Sequence, residues 1–277
     1  MDGMSVLDRL DDWPVDNVAA AIVLDGSTVA RHGDLSRRFS LASVSKLLTA
    51  YAVLVAVEEE AVELTTEAGP PGATVEHLLA HASGLAFDSG ETQAGVGEQR
   101  IYSNAGFAVL ADTVAAATDI AFADYFAQAV CEPLGLSDTD LDGPAGHGVR
   151  STVTDLARFA AELLDPRVLA AETLADATSV HFAGLDGFVP GYGRHRPNDW
   201  GLGFEIRAEK SPHWTGSTNS SATVGHFGQS GTFLWVDPDL RAACVVLTDR
   251  PFGAWAKPLW SDFNDAVVAA IRAEHRA

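Results

Sequence analysis

A hydroxyl and an amine lie three residues apart in Ser43-Val44-Ser45-Lys46, just ahead of the apolar run Leu47–Val57. If that run is helical, one turn carries Ser43 and Lys46 onto the same face. The run is apolar on nearly every side, the pattern of a helix buried in a domain centre. A lysine at the mouth of such a helix loses hydration, which disfavours the ammonium and lowers its pKa. The amine can then take the proton of the Ser43 hydroxyl. Free N–H groups and the dipole at the helix N-terminus also favour developing negative charge. The pair has the chemistry of an activated serine. It also has a purely structural reading, with Ser43 as an N-cap and Lys46 as a snorkelling side chain. The spacing alone does not choose between them.

Two further clusters carry polar groups to one end of an element. Tyr102-Ser103-Asn104 opens a second helical pattern after a polar loop, so a phenol and an amide can project from a helix mouth. Taken singly, they read equally as a buried tyrosine and an N-cap asparagine. Gly225-His226-Phe227-Gly228-Gln229-Ser230-Gly231 joins the end of one strand pattern to the start of the next. Taken singly, it is a hairpin with glycines at its turn. The glycine-rich, aromatic stretch Gly187–Trp200 has the character of a loop rimming a cleft. In it Tyr192, Arg194 and Trp200 are candidate substrate contacts, and Arg194 with Arg196 suits an anionic group. Lys210-Ser211-Pro212-His213-Trp214 is a candidate for the same role, with Trp214 as its aromatic contact. His77 and His81 have a zinc-compatible spacing, but no glutamate follows His77 as in H-E-x-x-H, and no metal site is expected.

The elements that must position these groups follow from periodicity. Asn17–Leu24 and Ser27–Arg31 read as strands joined by the hairpin signal Asp25-Gly26, and Arg38–Leu41 as a short strand leading into Ser43. Helical patterns occupy the middle of the chain, near Val75–His81, Asn104–Ala117, Phe122–Val130 and Thr154–Leu164. Strand patterns return at Gly203–Arg207, Ala222–Phe227, Gly231–Val236 and Ala242–Leu247, before a last helix over Ala254–Ala273. The implied fold is α+β. One antiparallel sheet is built from both termini and flanked by helices, with an inserted, mostly helical lobe. The sheet lobe takes residues 1–41 and 200–277, the helical lobe 42–199, and the active cleft lies between them.

In their order along the chain, the three clusters resemble the motifs of the serine β-lactamase and penicillin-binding protein superfamily. The resemblance is to the branch that contains class C β-lactamases, D-Ala-D-Ala carboxypeptidases and family VIII carboxylesterases. Its S-x-x-K, Y-x-N and K-T-G or H-x-G elements are matched by Ser43/Lys46, Tyr102/Asn104 and His226/Gly228. Leu78–Leu85 and Pro133–Leu136 resemble two further segments of this branch. The resemblance implies a β-lactamase/transpeptidase-like fold and an acyl-enzyme on Ser43. Lys46 and Tyr102 would share the proton, the phenolate being stabilised by the adjacent cation. Asn104 would orient Lys46 and donate to the substrate, and His226 would hydrogen-bond near Tyr102. The N–H groups of Ser43 and Gln229 would form the oxyanion hole.

Two departures bear on substrate. Phe227 replaces the threonine hydroxyl of K-T-G, and His226 replaces its lysine. Both weaken recognition of the carboxylate of a penicillin or a D-Ala-D-Ala peptide. The expected substrate, contacted also by Phe227 and Gly228, is a small ester or related acyl compound. A β-lactamase or D-Ala-D-Ala carboxypeptidase is the alternative within the class, and a non-catalytic ligand-binding descendant is the alternative outside it.

Composition bounds the partners. With 277 residues, 47% of them hydrophobic, the chain can bury a sizeable core. A net charge of −20 repels nucleic acid and anionic membrane alike, leaving a small molecule as partner. The first ten residues are acidic where a signal peptide is basic, and no uninterrupted apolar stretch has the length of a membrane span. The expected location is therefore cytoplasmic, where Cys131 and Cys244 are buried thiols and not a disulfide. No cofactor is called for.

Overall fold

The computed structural model describes residues 2–276. After a 3₁₀ helix at Asp2–Asp12, strands β1 (Val18–Leu24) and β2 (Ser27–Gly33) form a hairpin. Its two turn residues, Asp25 and Gly26, have φ of 47° and 75°. Positive φ at both positions is what the tightest hairpin turn demands, and the Asp-Gly pair provides it. A short β3 (Phe39–Ser40) leads through a 3₁₀ turn, Ala42–Val44, into helix α1 (Ser45–Glu58).

The central part holds α2 (Val75–Leu79), α3 (Asn104–Thr118), and α4 (Phe122–Phe126) running through a π-helical turn into α5 (Glu132–Leu134). Strands β4 (Asp140–Leu141) and β5 (Val149–Ser151) extend β3 into a small sheet. Then come α6 (Val153–Leu164), α7 (Ala171–Ala177) and the hairpin β6 (Gly187–Val189) and β7 (Gly193–His195). The chain ends with β8 (Glu205–Ile206), β9 (Val224–Gly228), β10 (Thr232–Asp237), β11 (Ala242–Thr248) and helix α8 (Ala256–Glu274).

Six strands make one sheet in the order β2-β1-β11-β10-β9-β8, every neighbouring pair antiparallel. The termini meet in its middle, where Val18–Leu24 of β1 pairs residue by residue with Thr248–Ala242 of β11. Alternation divides these strands between two cores. Ala19, Ala21, Val23, Val245 and Leu247 face α1 and α6. Ala20, Ile22, Cys244 and Val246 face α8 and the N-terminal 3₁₀ helix, whose Leu7 and Leu10, with Trp13 just beyond it, complete that layer. At about 25 cal/mol per Å² of apolar surface, such two-sided burial is the main stabilising term.

Helix α1 is buried from Ser45 to Ala56, in keeping with a run that is apolar all round. Helix α6 departs from the lobe boundaries read in sequence, because its Leu156, Phe159, Ala160 and Leu163 pack against the sheet. The segment 42–199 is thus not a helical lobe throughout. The stretch Gly187–Trp200 likewise holds the β6–β7 hairpin where the sequence reads as loop. Cys131 and Cys244 are both buried free thiols. Among the described residues no single helix is long and apolar enough to cross a membrane.

Candidate active site

Ser43 sits in the 3₁₀ turn between β3 and α1, and three contacts fix that turn. Leu41 donates its N–H to the Val149 carbonyl at 3.0 Å, and its own carbonyl accepts from the Thr232 hydroxyl at 2.9 Å. Ala42, directly before Ser43, has φ 46°, a left-handed conformation that costs an alanine about 1–2 kcal/mol. Gly228 is the third contact. A Cβ there would lie 2.3 Å from the Leu41 carbonyl oxygen, so only glycine lets β9 approach the backbone that carries Ser43. The Ser43 N–H, second in its 3₁₀ turn, has no partner within the helix.

Lys46 follows on the first turn of α1, with 0% exposure. Its Nζ donates to Asn104 Oδ1 at 2.5 Å and to the Gly146 carbonyl at 2.9 Å. It also lies 4.6 Å above the centre of the Tyr102 ring. Among the described residues no carboxylate touches it; Asp88 acts at one remove, accepting from Asn104 Nδ2 at 2.8 Å. Desolvation therefore dominates and brings the amine down to about 7, with Asp88 opposing weakly. Near neutral pH a fraction of Lys46 is an uncharged base.

Asn104 is free to hold Lys46 because Ser103, not Asn104, caps α3. The Ser103 side chain accepts from the Gly106 N–H at 3.0 Å. The Tyr102 hydroxyl is buried and completes no well-formed hydrogen bond. Desolvation raises its pKa well above the ordinary phenol value, although the facing Ser43 hydroxyl pulls it down in part. Burial thus disfavours the phenolate expected from sequence.

His226 on β9 is 3% exposed, and its ring centre lies 5.6 Å from that of Tyr102. Its Nδ1 bonds the Phe227 carbonyl at 2.7 Å, which assigns the proton to Nδ1, while Nε2 has no partner. The sequence expectation of a hydrogen bond near Tyr102 is thus met at the Phe227 carbonyl, and His226 makes no hydrogen bond to Tyr102 itself. Burial, then the neighbouring Lys46, lowers its pKa to about 3 and keeps it neutral. Trp200, 2% exposed, packs edge-on against His226 and tilts against Tyr102 at 6.0 Å.

A protein-family model described as beta-lactamase matches residues 14–268. The chain belongs to the beta-lactamase family. Among solved structures, a beta-lactamase from Mycobacterium bovis is 56% identical, with a TM-score of 0.95 over 96% of this chain and 99% of that one. An octameric penicillin-binding protein homologue from Pyrococcus abyssi (19% identity, TM-score 0.72, 91% of this chain and 74% of that one) shares the fold. So does a simvastatin synthase mutant from Aspergillus terreus (15% identity, TM-score 0.78, 97% and 94%). No curated protein matches the chain in sequence. The fold is the β-lactamase/transpeptidase-like one that these structures share.

The family motifs thus put Ser43, Lys46, Tyr102, Asn104, His226 and Gly228 around one point. Gln229 is exposed at the β9–β10 turn, tied through its Nε2 and its carbonyl to Phe252. Other sequence candidates lie elsewhere. Phe227 alternates to the opposite face of β9, packing on Phe252, Tyr192, Trp214 and Trp260, so it is a core residue and not a substrate contact. Tyr192 and Trp214 belong to the same core, and Trp214 donates its indole N–H to Glu205 at 2.7 Å. Arg194 and Arg196 both pair with Asp186. His77 bonds Thr74 and stacks on Phe182, while His81 accepts from the Ser103 N–H. The Gly146 carbonyl and Asp88 were not singled out from sequence. A carbonyl leaves no trace in residue type, though Gly146 itself gives a hint: a Cβ there would stand 3.5 Å from Lys46 Nζ.

Proposed function

We propose that the protein is a serine hydrolase that forms an acyl-enzyme on Ser43 from a small neutral ester or related acyl compound. The observation that carries this reading is Lys46, an amine held in place only by uncharged acceptors and brought to about 7 by burial, beside a facing serine and phenol. Lys46 Nζ accepts the Ser43 proton as Oγ bonds to the substrate carbonyl carbon. The resulting oxyanion is met by the Ser43 N–H and the Gln229 N–H, each donor contributing about 3 kcal/mol. The leaving alkoxide then takes the proton from Lys46 through the Tyr102 hydroxyl, and the C–O bond breaks. Water repeats the sequence on the acyl-enzyme, freeing the acid and restoring Ser43. One feature favours an uncharged substrate: His226 stands neutral where relatives hold a lysine cation.

A β-lactamase is the second reading, favoured by the 56% identity to the Mycobacterium bovis beta-lactamase. Incubation with a fluorophosphonate and with p-nitrophenyl acetate or butyrate tests the first. Labelling of Ser43 and a burst of p-nitrophenol are expected. No labelling and no burst would refute it, and rapid nitrocefin turnover with slow ester hydrolysis would put the β-lactamase reading in its place.

A further inference from the structure

Acidic residues outnumber basic ones by 38 to 18 in this chain. Yet a cavity of about 400 Å³ is lined by Arg207, Lys210, His213 and Lys257 and by no aspartate or glutamate. It lies between the loop that follows β8, the turn of the β6–β7 hairpin and the first turn of α8, and Ser43 takes no part in it. Two of the three lysines of the chain are gathered there.

Two other basic cavities have carboxylates paired with their arginines. In one, Arg37 and Arg38 pair with Asp249 and Asp140, with Arg150 beside them. In another, Arg194 and Arg196 share Asp186, and Asp199 and Glu209 stand in the wall. The Arg207 guanidinium instead donates to the carbonyls of Gly216, Ala208 and Ser217, which engages three of its five N–H groups without cancelling its charge. Lys257 is exposed, extends over the Tyr192 ring at 5.5 Å and has no carboxylate within 4 Å among the described residues. Lys210 does have one, Glu205, but that carboxylate is buried behind the wall. Asp265 is turned to Ser217 and Thr218 and does not line the cavity.

Two cations without carboxylate partners therefore share a concavity whose volume suits a small molecule. The hydroxyls of Ser211 and Ser261 add neutral donors beside them. Cations that line one hollow repel one another, and an anion relieves that repulsion while a neutral molecule does not. A guanidinium with two N–H groups left matches the two oxygens of a carboxylate or phosphate. We propose that this cavity binds a small organic anion, with its carboxylate or phosphate group held by Arg207 and Lys257. The site is separate from the Ser43 centre and does not depend on the reaction proposed there.

Calorimetric titration of the full chain at low salt with inorganic phosphate, citrate and glycerol tests this. Saturable binding of phosphate or citrate, with none of glycerol, is expected, and the better of the two anions identifies the head group. Lys257→Glu places a negative charge at an exposed position, so the fold tolerates it, and binding weakens about tenfold or more. Arg276→Glu makes the same charge change just beyond the C-terminal end of α8 and leaves the affinity within about twofold. Far-ultraviolet circular dichroism confirms that each variant is folded. Absence of saturable binding by both anions, or equal weakening by the two substitutions, would overturn the proposal.

Discussion

Lys46 and Lys210 are both withdrawn from water, at 0% and 4% exposure, and they differ in what receives their hydrogens. Lys46 meets an amide oxygen and a carbonyl. Lys210 meets the Asp199 carbonyl at 2.9 Å and the Glu205 carboxylate at 3.0 Å. Burial lowers the pKa of each, but at Lys210 the carboxylate pushes back. Against the burial that would raise it, Glu205 is itself held well below the usual carboxylate range by Lys210 and His213. Burial alone thus does not decide whether a lysine is a base. A buried amine without a counter-charge is able to give up its proton, and the same amine beside a carboxylate is a structural cation.

Substitution at the two sites separates the roles. Lys46→Met removes the base and slows Ser43 acylation by about a thousandfold, measured as the rate of fluorophosphonate labelling, with the fold retained by circular dichroism. Glu205→Gln acts in the opposite sense. It strands Lys210 as an uncompensated buried cation and lowers unfolding stability by about 3 kcal/mol in urea titration, without approaching the loss of labelling rate seen at Lys46. If Glu205→Gln left stability unchanged, or Lys46→Met unfolded the chain, the contrast between the two lysines would fail. The smallest effect belongs to Asp88→Asn. Removing that charge withdraws the Asp88 influence on Lys46 and moves the pH midpoint of acylation downward by a fraction of a unit.

Much of this arrangement is legible before any coordinates. The Asp25-Gly26 turn, the apolar helix after Ser43 and the terminal strands follow from pattern, because each pattern has one structural solution. The hold of Asn104 on Lys46 is also anticipated, since the resemblance to family motifs assigns it. The face of β9 is another matter. Strands β9, β10 and β11 are buried on both sides, so the polar alternation that would tell Phe227 from His226 is absent. For the same reason Tyr192 and Trp214 read as cleft aromatics and turn out to be core. The π-electron surfaces that suit a substrate suit a second core equally well. The amphipathic α6 announces a buried face without naming the sheet it covers.

The central claim is that Lys46, and not Tyr102, takes the Ser43 proton, and the pH dependence of fluorophosphonate labelling tests it most directly. A protonated Lys46 cannot act as base, so the labelling rate should rise with pH through a single step near 7 and level off above it. In Lys46→Met the residual rate should be flat across that range. A step near 10.5, the value of an unperturbed lysine, or a step at 7 that survives in Lys46→Met, would contradict the account.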